Sequence, residues 1–251
     1  MKYLILSFDD GTSDFKDNSY PILKKYGFLA SLNIISGFCD NTIETEFSFL
    51  SIEDLKHFHK LGFEIANHTN SHLKHGSYNE LKTCNDKLSS WCSLNNIGIV
   101  MPKYSKPNRS ARRYIKENHP AYVTYDDKKI GLFNNLLKVI KLKIISIFKR
   151  NQESSLNYLL AHCMYKKKTT KKFLRLSIKA ETSPTALHNA LKNLPDNYCL
   201  TLCFHSISDK PESCFYPEGT WSTTNFDKFC HLLSNDIEIS IVTQKEVVKD
   251  E

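Results

Sequence analysis

This sequence predicts a parallel α/β fold, either a closed barrel or an open sheet, from three observations. Short apolar runs alternate with amphipathic, capped stretches along most of the chain, which is the pattern of βα units. Ionisable residues stand at the ends of three apolar runs: Asp9 and Asp10, then His68 and His72, then His205. In parallel α/β folds that rim collects the functional groups. The length of 251 residues suits one barrel of about 250 residues, and with no internal repeat or low-complexity linker, residues 1–251 read as a single domain.

The elements follow in order. Tyr3 to Phe8 is a short apolar run that stops at Asp9-Asp10-Gly11, and Ala30 to Phe38 is a second run after a helix-like stretch, Ser19 to Tyr26. Both read as strands of a buried sheet. Ser51 can cap a helix that ends at Gly62, and Phe63 to Ala66 then reads as a strand entering Asn67-His68. Ser77 and Glu80 form a capping-box pattern for a helix to Leu94, and Ile97 to Met101 is the next strand. Arg109 to Asn118 reads as a helix, Ala121 to Tyr125 as extended and Thr185 to Asn193 as a helix. Tyr198 to Ile207 is a strong strand. A helix from Thr223/Thr224 to Leu233, a strand from Ile237 to Val242 and a short helix boxed by Thr243 and Glu246 complete the chain.

Composition narrows the class. With 41% hydrophobic and 24% charged residues the chain is of ordinary globular make-up, which excludes a disordered or fibrous protein. The run from Tyr3 to Leu6 meets carboxylates where a signal peptide needs its apolar centre to continue, and Ile130 to Phe148 is broken by Lys138, Lys141 and Lys143. The expectation is a cytoplasmic or peripheral protein. Eight cysteines are scattered without zinc-ribbon spacing, so they read as reduced thiols, with Cys199 and Cys203 as core filler.

Charge is unevenly distributed. Between Lys128 and Phe173 eleven Lys and one Arg face one Glu, a segment charge of +11 in a chain of net +7. Residues 128–181 therefore read as a basic, helical insertion with its own task, not as the multi-element basic face of a nucleic-acid binder. From Phe133 to Lys149 most apolar residues share one helical arc, and Lys138, Lys141 and Lys149 share the opposite one with Leu142 and Ile145 as intruders. An anionic membrane surface at the cytoplasmic leaflet is the partner this pattern predicts.

The chemistry concentrates in three short motifs. Adjacent aspartates at the end of an apolar strand need a cation, donors or a proton to offset desolvation. His68 and His72 have a spacing that on a helical turn would put both imidazoles within reach of one ion. Together, SFDDG (Ser7–Gly11), EIANHTNSH (Glu64–His72) and CLTLCFHSI (Cys199–Ile207) resemble, in order and spacing, the motifs of the polysaccharide deacetylases, the NodB-homology family within carbohydrate esterase family 4. The tail Asn225–Val248 is similar to that family's ending, and the resemblance covers about Tyr3–Tyr125 and Thr182–Val248.

The resemblance implies a distorted (β/α) barrel and a divalent metal ion, usually zinc. Asp10, His68 and His72 would be its ligands, Asp9 the general base and His205 the acid. The implied reaction is hydrolysis of an N-acetyl group on a sugar in a glycan or glycan precursor, metal-bound water attacking the amide. The N-acylated carbohydrate is then the substrate partner. Two departures stand out: the third motif is reduced to the stretch 104–109 around Pro107, leaving Arg109, Arg112 or Lys106 to supply its cation, and Asp126 and Asp127 are the only candidates for the fourth. The alternatives are an N-deformylase or other small-amide hydrolase on a lipid-linked sugar, and a catalytically weak carbohydrate- or nucleic-acid-binding protein.

Overall fold

The structure is a computed structural model that describes residues 1–73, 76–102, 107–126, 152–167 and 171–248. Its strands are β1 (Lys2–Phe8), β2 (Ser31–Ile34), β3 (Glu64–Asn67), β4 (Ile99–Val100), β5 (Val123–Asp126), β6 (Tyr165–Lys166), β7 (Lys172–Ser177), β8 (Tyr198–Phe204) and β9 (Ile239–Ile241). Strands β1 to β5, β7 and β8 run parallel and close into a barrel. The closing seam is the in-register ladder from Tyr3↔Cys199 to Phe8↔Phe204. The other edge of β1 is shared, with β9 along Lys2–Leu4 and β2 from Ser7 onward. The barrel predicted from the motifs is thus present.

Alternation along β1 shows how the sequence builds two cores. Leu4, Leu6 and Phe8 pack outward with helix residues such as Leu23 and Phe226, while Ile5 packs inside the barrel with Ala66, Val100 and Cys199. The helices are α1 (Tyr20–Tyr26), α2 (Ser36–Cys39), α3 (Ile52–Lys60), α4 (Tyr78–Cys92), α5 (Arg109–Asn118), α6 (Gln152–Cys163), α7 (Pro184–Lys192), α8 (Thr223–Ser234) and α9 (Gln244–Val247). Their starts follow local chemistry: Ser51, Ser77, Asn108, Ser183 and Ser222 each accept a hydrogen bond from a backbone N–H of the first turn.

Two expectations change. The run Ala30 to Phe38 is a strand only to Ile34, because the chain turns into α2, where the Gly37 N–H donates to Asn70 O at 2.8 Å. A Cβ on Gly37 would lie 2.5 Å from that oxygen, so only glycine allows the approach. The stretch 128–181, read as an insertion, contains β7, which fills the barrel between β5 and β8. Helix α6, from the same stretch, packs against α7. The amphipathic pattern from Phe133 to Lys149 lies outside the described residues. Among the described residues no helix is long and apolar enough to cross a membrane. All eight cysteines are buried and free of disulfides.

Candidate active site

The end of β1 turns sharply, with Asp10 at φ 72° and Gly11 at φ 76°. This left-handed turn carries the Asp10 carboxyl group inward, 2% exposed, where its Oδ1 has no hydrogen-bond partner. His68 Nε2 lies 3.5 Å from that oxygen and His72 Nε2 3.4 Å. The His68 Nδ1 is 2.8 Å from Val100 O, which fixes the proton on Nδ1 and leaves the Nε2 lone pair facing Asp10.

The His68–His72 segment is not the helical turn its spacing suggested. Thr69 and His72 have φ values of 72° and 57°, and side chains lock the loop. The Thr69 N–H donates to Asn67 Oδ1, the His72 N–H to Thr69 Oγ1, and the Ser71 N–H to Glu80 Oε2 at 2.7 Å. The two imidazoles still converge, ring centroids 5.0 Å apart. A buried carboxylate oxygen lacking a donor, facing two imidazole nitrogens, is a donor set that fits a divalent cation. Ligands at about 2.0–2.1 Å from a tetrahedral ion lie roughly 3.4 Å from one another, close to the spacing found here.

Asp9 is 2% exposed and next to this trio, yet it is differently held. Its Oδ1 accepts from Arg175 Nη1 and from Asn33 Nδ2 at 2.6 Å, while its Oδ2 lies 3.5 Å from His68 Nε2. Burial opposes the charge, but Arg175, His68 and His205 outweigh it and hold Asp9 far below the usual carboxylate range. His68 responds in kind: burial lowers its affinity for a proton, and Asp9 and Asp10 together more than reverse that. His205 follows β8 directly, half-exposed, with the Tyr216 ring centroid 4.5 Å away. The Asp9 N–H donates to Phe204 O, which sets Asp9 beside His205.

Asp9, Asp10, His68, His72 and His205 therefore lie at one rim, but the cation beside Asp9 does not come from where the third motif pointed. Arg109 and Arg112 are exposed on α5, and Lys106 lies outside the described residues. Arg175, 1% exposed on β7, takes that place. Its signal was an arginine at an inward position of an alternating run, KFLRLS. Asp126 sits in β5 in register with Arg175, and Asp127 lies outside the described residues.

Fold and geometry together define a parallel α/β barrel whose strand ends bring Asp10, His68 and His72 together as a possible cation donor set beside the Arg175-paired Asp9. Residues 1–119 match the family model of the polysaccharide deacetylases. YxkH of Bacillus subtilis (strain 168), a protein named for the same family, is 33% identical over 73 residues, 29% of this chain and 24% of YxkH. The chain thus matches about a quarter of that relative's length. Solved structures share the fold. The Xyl-CE4 domain of a multidomain xylanase from the hindgut metagenome of Trinervitermes trinervoides superposes with TM-score 0.56 at 14% identity, over 98% of this chain and 89% of that one. Peptidoglycan deacetylase PdaC from Bacillus subtilis gives 0.54 at 16% identity, over 98% and 89%. A family 4 acetyl xylan esterase from Clostridium thermocellum, solved with a cobalt ion, gives 0.54 at 12% identity, over 98% and 89%.

Proposed function

We propose that this protein is a divalent-metal-dependent hydrolase that removes an N-acetyl group from a sugar of a glycan or glycan precursor, with zinc as the metal. The observation that carries the reading is the division of labour between adjacent aspartates: Asp10 offers an unpartnered oxygen to the two histidines, whereas Asp9 is kept ionised by Arg175. A related esterase was solved with cobalt, and the family match covers the motifs that supply all three ligands.

Asp10 Oδ1, His68 Nε2 and His72 Nε2 would hold the ion. When bound, it supplies positive charge that polarises the amide carbonyl and acidifies water. Asp9 Oδ2 is the basic atom, because Oδ1 is occupied by Arg175 and Asn33, and it takes the proton of the attacking water. His205 stands just past the end of the adjacent strand and delivers a proton to the departing nitrogen, which leaves as an amine while the acyl group leaves as a carboxylate. Tyr216 packs on the His205 ring and limits its rotation.

The test is product analysis: metal-loaded protein against N-acetyl and N-formyl sugars, free and polyprenyl-linked, scored for released amine and released acid. Acetate with a free amino sugar supports the reading. Formate alone would move it to a deformylase, and no product from any sugar would remove it. Peripheral attachment at the cytoplasmic leaflet through residues 128–173 is part of the same proposal, resting on the +11 charge of that stretch. Sedimentation with anionic and neutral vesicles tests it, and equal failure to bind either would end it.

A further inference from the structure

Asp9 and His205 share a neighbour that the proposed reaction does not use. Cys203 stands two residues before His205, so both side chains face the barrel interior. The pair Ser7↔Cys203 puts Asp9, two residues further along β1, level with His205. A carboxylate oxygen of Asp9, Cys203 Sγ and a ring nitrogen of His205 lie within 4.8 Å of one another. Cys203 is fully buried and outside any disulfide, and His205 is the one partly exposed member of the trio. The His205 Nδ1 is itself buried without a hydrogen-bond partner.

We propose that Asp9, Cys203 and His205 form a second site, for a thiophilic divalent cation such as excess Zn²⁺ or Cd²⁺, and that filling it stops the hydrolysis. Only the consequence rests on the proposed function; the site stands on the geometry. Carboxylate, thiolate and imidazole together suit a borderline or soft ion and discriminate against Mg²⁺ and Ca²⁺, which prefer oxygen donors. Binding breaks the S–H bond of Cys203, forms a sulfur–metal bond and releases one proton to solvent, with no change of oxidation state. Asp9 Oδ1 keeps Arg175 and Asn33, so Oδ2 is the atom left for the ion.

The two sites touch, since His68 Nε2 lies 3.5 Å from Asp9 Oδ2. Two dications that close repel, so the second must bind more weakly than the first and fill only when metal is in excess. Once filled, Asp9 can no longer accept a proton nor His205 donate one. The first metal is therefore an activator and the second an inhibitor of the same centre.

Cadmium titration of the full, metal-free chain tests the site without any substrate. The wild type should bind two equivalents, the second bringing thiolate-to-cadmium absorption in the ultraviolet. Cys203→Ser should bind one equivalent without that absorption, at an unchanged melting temperature. Cys203→Ala serves as a second variant should the serine prevent folding. With substrate, excess Zn²⁺ should slow the wild type by about 10²-fold or more, since base and acid are both lost, and leave Cys203→Ser near its own maximum. A single equivalent in the wild type, or the same absorption in Cys203→Ser, overturns the second site. Cadmium behaviour as expected, with no turnover on any sugar, leaves the site standing and removes the proposed function instead.

Discussion

Asp9 and Arg175 are both nearly fully buried, and each is costly without the other. Arg175→Met should therefore destabilise the fold by about 3–5 kcal/mol, and the pair Asp9→Asn with Arg175→Met should recover part of that loss, read in urea unfolding. The same substitution changes the pH profile. As the proposed base Asp9 would act only when ionised, and Arg175 is the largest of the charges that depress its pKa against burial. Removing it raises that pKa, so as pH falls the variant should lose activity at a higher pH than the wild type, and an unmoved acidic limb would show that Arg175 does not set the base. In unfolding, the wild-type contribution of Asp9 is present above the ordinary carboxylate pKa and lost as pH falls through the depressed one; Arg175→Met should shrink it. Asp9→Asn alone should keep the metal and lower turnover by about 10²–10⁴-fold. His68→Ala and His72→Ala should instead lose stoichiometric metal, measured by elemental analysis. The clustering of Asp9, Asp10, His68, His72 and His205 was legible because each sits in a short motif at a strand end. Arg175 was not, because its partner is 166 residues distant in sequence and nothing local marks the pairing.

At the scale of elements, the loop between β3 and α4 decides whether His72 faces Asp10. Capping chemistry was readable: Ser77 does accept from the Glu80 N–H as the sequence suggested. The other half of that box is used differently, since the Glu80 carboxylate reaches back past the cap to the Ser71 N–H. Helix α4 thereby anchors the loop that holds His72 in its left-handed conformation. Glu80→Ala should weaken metal binding by about 10–100-fold, as the loss of groups supporting ligands does, while unfolding midpoints change little because Ser77 still caps the helix. Equal metal affinity in Glu80→Ala and the wild type would mean that the loop holds itself. The spacing of His68 and His72 brought the two imidazoles together through the wrong local structure, because a five-residue window does not reveal the positive φ values at Thr69 and His72. Strand β7 escaped for another reason. Its flanking lysines made the stretch resemble a solvated insertion, and only pairing with β5 and β8 identifies it as barrel wall.

For the molecule as a whole, the barrel separates the candidate site from a packed plug by end, with the candidate ligands at the strand carboxyl ends and the plug at the opposite mouth. At that mouth Tyr122 lies flat over Gly98, so closely that a Cβ on Gly98 would sit 2.0 Å from the ring. The Tyr122 hydroxyl donates to Glu64 Oε1 at 2.8 Å, and Glu64 Oε2 accepts from Ser31 Oγ and from the Lys245 N–H in the first turn of α9. Gly98, Tyr122 and Glu64 therefore link β4, β5, β3 and the C-terminal helix. Parallel alternation and strand-end polarity made the barrel legible, but this plug was not, because it joins residues whose contact depends on the closed shape. Gly98→Ala must displace the Tyr122 ring and with it the bond to Glu64. The expected loss is about 1–3 kcal/mol, the usual range for an overfilled core, seen as a lower urea midpoint. Tyr122→Leu in the Gly98→Ala background should recover part of it, since the smaller side chain removes the clash, whereas Tyr122→Leu alone should destabilise. Metal content should stay stoichiometric in all three variants, because the plug and the ligands lie at opposite ends of the strands. Additive losses in the double variant would show that the ring and the glycine are not coupled, and loss of metal in Gly98→Ala would show that the two ends of the barrel are.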